Sequence, residues 1–173
     1  MSFKVFEANL ERARKLSPPE MVNEFQTTFK AGVNVTPKLP SKEQMLLRSI
    51  LIEEEAKEFR EACEANDLVE AADALGDLLY VVLGGFIVFG LVNGMDEELM
   101  AQIHASNMSK LCVSIEEAQA FIDETTDKDG PIYYYEETTE GRVVLYWAYG
   151  PKKDKVAKGP HYIAPDLSFL IQE

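Results

Sequence analysis

Two acidic clusters hold the chemistry this chain can offer: Glu54-Glu55-x-x-Glu58, then Glu70-x-x-Asp73-x-x-x-Asp77. On a helix turning about 100° per residue, Glu55 and Glu58 share an arc with Leu47, Leu51, Phe59 and Ala62, and Glu54 stands at its edge. Glu53, Glu61 and Glu64 point the other way with Lys57 and Arg60 and read as solvated acids. Glu70, Asp73 and Asp77 form one narrow stripe that Val81 and Gly84 continue into an apolar half. A carboxylate turned toward a core without a partner costs several kcal/mol or takes up a proton, so these acids call for cations. Oxygen ligands without histidine or cysteine suit Mg²⁺, with Mn²⁺ as a substitute. The expected ligands are Glu55, Glu58, Asp73, Asp77 and Glu70, although Glu70 is also placed to complete a helix cap.

These residues need helices to position them. Ser17-Pro18-Pro19-Glu20 predicts a helix start running to about Lys30, and Ser41-x-x-Gln44 caps a long helix reaching about Ala65. Asn66-Asp67 breaks it, and Asp67-x-x-Glu70 opens the next, which runs through the apolar stretch Leu78 to Val92 and ends at Asn93-Gly94. So short a break favours an antiparallel hairpin that brings the two acidic clusters together. A fourth core helix is expected from Asp96 to about Lys110. Beyond Leu111 the character changes: Ser114-x-x-Glu117 caps a short helix, and Ile132–Tyr135 with Arg142–Tyr149 read as a β-hairpin. The expected fold is mainly α: a four-to-five-helix bundle over residues 1–111, with a small α+β appendage over 112–173 packed on it.

Composition narrows the classes. Thirty acids against 17 Lys and Arg give a net charge of −13, which opposes non-specific nucleic-acid binding or docking on anionic lipid. Cys63 and Cys112 have no metal-type spacing and suggest reduced thiols in a cytoplasmic setting. The Leu78–Val92 run is shorter than the roughly 18–20 residues of a membrane span, and a buried helix or subunit interface suits it better. Di-iron bundles use Glu-x-x-His pairs. Here Ala101 and Lys158 stand three residues before His104 and His161, which argues against that class.

The double acidic motif, followed by Leu78-Leu79-Tyr80, resembles the all-α nucleoside triphosphate pyrophosphohydrolase superfamily, which groups MazG-like proteins, dimeric dUTPases and phosphoribosyl-ATP pyrophosphohydrolase. The resemblance covers about Val22 to Leu111, and Ser106-Asn107-Met108-Ser109-Lys110 is similar to a phosphate-contacting segment of relatives. It implies Mg²⁺-dependent cleavage of a nucleotide between its α and β phosphates. One departure stands out. Anchored on the Leu-Leu-Tyr run, the family aspartate is Asp77 and its glutamate position holds Ala74. Asp73, one turn before Asp77, is read as the substitute; by spacing alone the pair is Glu70 and Asp73.

On that reading metal ions bridge the triphosphate to the acids, and Glu54 or Glu55 accepts a proton from the attacking water. Arg48, Asn107, Lys110 and Lys158 are the candidate phosphate contacts. Arg48 could equally pair with an acid, and Lys110 also suits a helix C-terminus. Phe25 and Phe29 could stack on a base or belong to the core. The apolar demand of Leu78–Val92 implies a homodimer or a dimer of dimers. The expected function is nucleoside triphosphate pyrophosphohydrolysis that cleanses the nucleotide pool. The alternatives are phosphoribosyl-ATP hydrolysis in histidine synthesis and a non-catalytic, metal-binding oligomerisation module.

Overall fold

A computed structural model describes residues 2–92, 95–126 and 132–171. The chain divides into two compact units, Met1–Asp96 and Glu97–Glu173.

In the N-terminal unit, α1 (Ser2–Ala13) precedes α2 (Pro18–Thr28), and Arg12 of α1 pairs with Glu24 of α2 at 3.0 Å. The start of α2 is fixed as its cap predicts: the Glu20 carboxylate accepts from the Ser17 backbone N–H and hydroxyl at 2.7 and 2.6 Å. α3 (Lys42–Ala65) starts on the reciprocal Ser41–Gln44 box and closes on Asn66 in the left-handed conformation, φ 55°. Asp67 Oδ1 then accepts from the N–H groups of Val69 and Glu70, opening α4 (Leu68–Val88). α3 and α4 pack along one another, and α2 covers part of α4.

α4 ends before the expected Asn93-Gly94, which lies outside the described residues. Phe89 caps it and the chain turns at Gly90, φ +70°, where a Cβ would come 2.0 Å from the Thr36 carbonyl oxygen. The loop between α2 and α3 straps this end, since Asn34 and Lys38 donate backbone N–H groups to Ile87 and Phe89. These bonds satisfy carbonyls that the helix leaves open. By length and composition α4 is also apolar enough to cross a membrane, longer than the Leu78–Val92 run alone.

The C-terminal unit comprises most of α5 (Met95–Met108), then α6 (Ile115–Thr125) and the antiparallel strands β1 (Tyr133–Glu137) and β2 (Val143–Trp147). Tyr133 faces Trp147 and Tyr135 faces Leu145 in the register. Cys112, Ala118, Val143, Leu145 and Ala157 form its core, flanked by Phe121, Ile122 and the aromatic residues of the hairpin. Both cysteines are free. The mainly helical architecture with a small two-stranded appendage is the one the sequence predicts.

Candidate functional site

Glu55 is the centre of the acidic site. Its side chain is half-buried on α3, and Oε2 is buried with no hydrogen-bond partner, alone in this among the described residues. Burial raises its pKa above the usual carboxylate range, and the charges of Glu58, Asp77, Glu54 and Asp73 push it further. Four other expected acids, drawn from both helices of the hairpin, therefore act on the charge of Glu55. All four are exposed, so Glu58, placed by helical periodicity on the apolar arc, reaches its rim instead.

Glu70 stands in the first turn of α4. Its backbone N–H completes the Asp67 cap, and its exposed side chain lines an open cleft of about 380 Å³ with Glu58, Glu61, Asp73 and Asp67. Ala62, Ala65 and Ala74 supply the apolar lining. Glu58 and Asp73 thus belong to both gatherings. Periodicity assigned Glu61 to solvent with Lys57, and the two do pair at 3.3 Å. Its place one turn after Glu58 is the signal that could have joined it to the cleft. Ala74 is buried, so the position at which the resemblance implied a glutamate packs against the fold, while Asp73 beside it is exposed.

The donor set is all oxygen, and one carboxylate oxygen is buried and unsatisfied, which fits a hard divalent cation. Among the described residues no three acids are already gathered as a ready ligand cage. The acids that could contribute to such a site are Glu55, Glu58, Asp73 and Asp77, while Glu70 lines the neighbouring cleft.

Arg48 lies elsewhere in the unit. Its Nη2 donates to Gln26 Oε1 at 2.8 Å and to the Ala31 carbonyl at 3.1 Å, and burial lowers its pKa. Gln26, itself buried, passes the bond on to α4. Phe25 and Phe29, with ring centres 4.6 Å apart, neither fill the core nor stand free. With Tyr80, Met21 and Leu16 they line a cleft of about 470 Å³ that also takes in Asn9, Thr28 and the Arg12–Glu24 pair. Tyr80 is one helical turn beyond Asp77, so this aromatic cleft continues the acidic stripe along α4.

The remaining expected phosphate contacts belong to the C-terminal unit. Lys110 Nζ donates to Asn107 Oδ1 at 2.6 Å, just past the end of α5, and Lys158 Nζ sits 4.0 Å from the Tyr162 ring centre. His104 is exposed on α5. His161 pairs with Glu117 at 2.8 Å. Tyr162 carried no signal in the sequence, because only the folded tail brings it to Lys158.

Residues 22–107 match the family model described as phosphoribosyl-ATP pyrophosphohydrolase. No curated protein sequence matches the chain. The matched stretch takes in most of α2, all of α3 and α4 and nearly all of α5, and so Glu54, Glu55, Glu58, Glu70, Asp73 and Asp77.

Proposed function

Because the chain belongs, through residues 22–107, to the all-α nucleoside triphosphate pyrophosphohydrolase superfamily, we propose that this pyrophosphohydrolase cleaves nucleoside triphosphates between the α and β phosphates. The observation that carries this reading is the unsatisfied Glu55 oxygen, on whose carboxylate the charges of Glu54, Glu58, Asp73 and Asp77 act. A −13 chain repels a triphosphate. Glu58, Asp73 and Asp77 would hold Mg²⁺, with Mn²⁺ as substitute, and Glu55 or Glu70 would complete the set. When bound, the ion screens the acids from the phosphate chain and stabilises the leaving pyrophosphate.

The chain's own part is proton transfer and positioning. Water attacks the α-phosphorus, its proton passes to a carboxylate oxygen of Glu55 or Glu54, and the bond from that phosphorus to the bridging oxygen breaks. Pyrophosphate departs with the bonding electrons and leaves a nucleoside monophosphate. A carboxylate with a raised pKa is the better base near neutral pH. That property favours Glu55. The aromatic cleft of Phe25, Phe29 and Tyr80 offers stacking faces for the base.

Leu46, Leu47, Ile50, Leu75 and Leu79 on α3 and α4 are each about half exposed. A second copy of the chain covering them would form a homodimer or a dimer of dimers, in a cytoplasmic setting. The family match itself favours a second substrate for the same chemistry, phosphoribosyl-ATP. Incubating the chain with a panel of NTPs, dNTPs and phosphoribosyl-ATP in Mg²⁺ or Mn²⁺ and measuring pyrophosphate separates these readings. Metal-dependent thermal stabilisation without turnover of any of them would leave only the metal-binding module, and turnover indifferent to Asp77→Ala would overturn this reading of the site.

A further inference from the structure

The aromatic cleft of the N-terminal unit has a polar edge. Arg12 of α1 and Glu24 of α2 meet there at 3.0 Å, and both line the cleft with Phe25, Phe29 and Tyr80. Half of this edge comes from α1, a helix that lies outside the matched stretch of residues 22–107.

The rings supply faces. Phe25 lies tilted on Phe29 and edge-on to Tyr80, with ring centres 4.6 and 5.8 Å away, and all three are partly open to solvent. Their cleft of about 470 Å³ is within the size range of small-molecule sites. The ion pair supplies hydrogen-bonding groups. The side chains of Arg12 and Glu24 are 69% and 39% exposed, so a ligand can reach both. A guanidinium carries five N–H donors and a carboxylate about four acceptor sites, so their mutual contact leaves most of both sets available. An apolar side chain laid over the rings would desolvate these charges without pairing them. A flat heterocycle with donors and acceptors in its plane satisfies faces and edge together. Tyr80 lies about 4.5 Å along α4 from Asp77, a separation that a sugar can bridge.

The edge also selects among bases. Guanine alone of the common bases carries two adjacent donors, N1–H and the N2 amino group, which match the two oxygens of one carboxylate. Its O6 stands beside them as an acceptor for a guanidinium. Adenine and cytosine put an unprotonated ring nitrogen next to their amino group, so a carboxylate there faces a lone pair. Uracil and thymine flank a single N–H with two carbonyls. Polar groups left unpaired in a desolvated site are what discriminate between such rings.

We propose that the Arg12–Glu24 pair reads the edge of a guanine stacked in the aromatic cleft, which makes guanine nucleoside triphosphates the preferred substrates. The triphosphate rests on the proposed reaction; recognition of the base rests on the cleft alone. Phosphoribosyl-ATP, an adenine nucleotide, is disfavoured by the same edge.

Two measurements test this. Hydrolysis of dGTP, dATP, dCTP and dTTP in Mg²⁺ gives the base preference, and saturation-transfer NMR with guanosine and adenosine in EDTA reads the cleft without metal or turnover. We expect kcat/KM for dGTP to exceed that for dATP by at least about tenfold. Glu24→Gln should erase most of that preference through KM, with kcat at saturating dGTP little changed. It should also weaken the guanosine signal and spare that of adenosine. Arg12→Gln, which keeps the carboxylate, should lose several-fold. An ion pair this exposed adds little to stability, so both variants should melt close to the parent protein, and the nucleoside comparison on the parent protein needs no variant. Absence of a guanine preference in the parent protein, or a preference that survives Glu24→Gln, would overturn the assignment. Guanosine selected over adenosine by a chain that hydrolyses no triphosphate keeps the edge and sinks the reaction. Hydrolysis of all four triphosphates alike, with neither nucleoside preferred, does the reverse.

Discussion

The side-chain amide of Gln26 on α2 donates to the carbonyl oxygen of Gly84 on α4 at 2.8 Å, deep inside the N-terminal unit. The same side chain accepts from Arg48 of α3, so one buried glutamine ties α2 to the two helices that carry the acidic site. Glycine is required opposite it: a Cβ at position 84 would lie 2.9 Å from Arg48 Nη1 and 3.0 Å from Gln26 Nε2. Gly84→Ala must therefore break or lengthen the tie. We expect a loss of about 1–3 kcal/mol, read as a melting temperature lower by roughly 2–4 °C per kcal/mol. Gln26→Leu, which leaves Arg48 without its partner, should cost at least as much. Unchanged melting of both variants would show that the tie holds nothing.

Glu55 stands where function and stability oppose one another. Its unsatisfied oxygen and its four acidic neighbours destabilise the ionised form. Glu55→Gln removes the charge and keeps the shape, so without metal the variant should melt higher than the parent protein. The rise on adding Mg²⁺ should shrink, since a ligand is gone, and turnover should fall by about two orders of magnitude. Differential scanning fluorimetry with and without Mg²⁺ checks the first two points. A variant that melts lower in EDTA would mean that Glu55 is not held against a repulsive field.

Asp73 and Glu70 compete for one role, and their surroundings separate them. Both line the cleft, and Asp73 also adds to the charge that raises the Glu55 pKa. Asp73→Asn should lower kcat by about a hundredfold, and Glu70→Gln should stay within several-fold of the parent protein. Equal losses would make the ligand set symmetrical, and a larger loss in Glu70→Gln would restore the pairing by spacing alone.

Much of this was legible because the helix signals are local. The Ser17, Ser41, Asp67 and Ser114 caps placed four helix starts, and a period of 3.6 residues put Glu55 on a buried face. The end of α4 was missed because Gly90 stops it through a close approach to Thr36, a contact no local pattern announces. Arg48 was expected to meet a phosphate or an acid, but its side-chain partner Gln26 sits on another helix. Tyr162 was invisible for the same reason, since it meets Lys158 only after the tail has folded back. The arc that put Glu58 inside was too coarse to separate a buried face from its rim.

The Glu117 carboxylate fastens the C-terminal unit at two places. It accepts from the Val113 N–H at 2.7 Å and meets His161 at 2.8 Å, and the backbone bond, followed by the histidine, holds its pKa below the usual glutamate range despite opposing desolvation. A depressed carboxylate contributes stability that is present above its unfolded pKa and lost as pH falls through its folded value. Acidification below the ordinary glutamate range should therefore loosen this unit, and Glu117→Gln should flatten that part of the curve by removing the titrating group. Trp147 is the chain's one tryptophan and packs edge-on to Tyr133 in this unit, ring centres 5.1 Å apart. Its fluorescence during melts between about pH 7 and pH 3 reads the unit directly. If the parent protein and Glu117→Gln show the same pH dependence in that signal, the Glu117 contacts do not couple the tail to protonation.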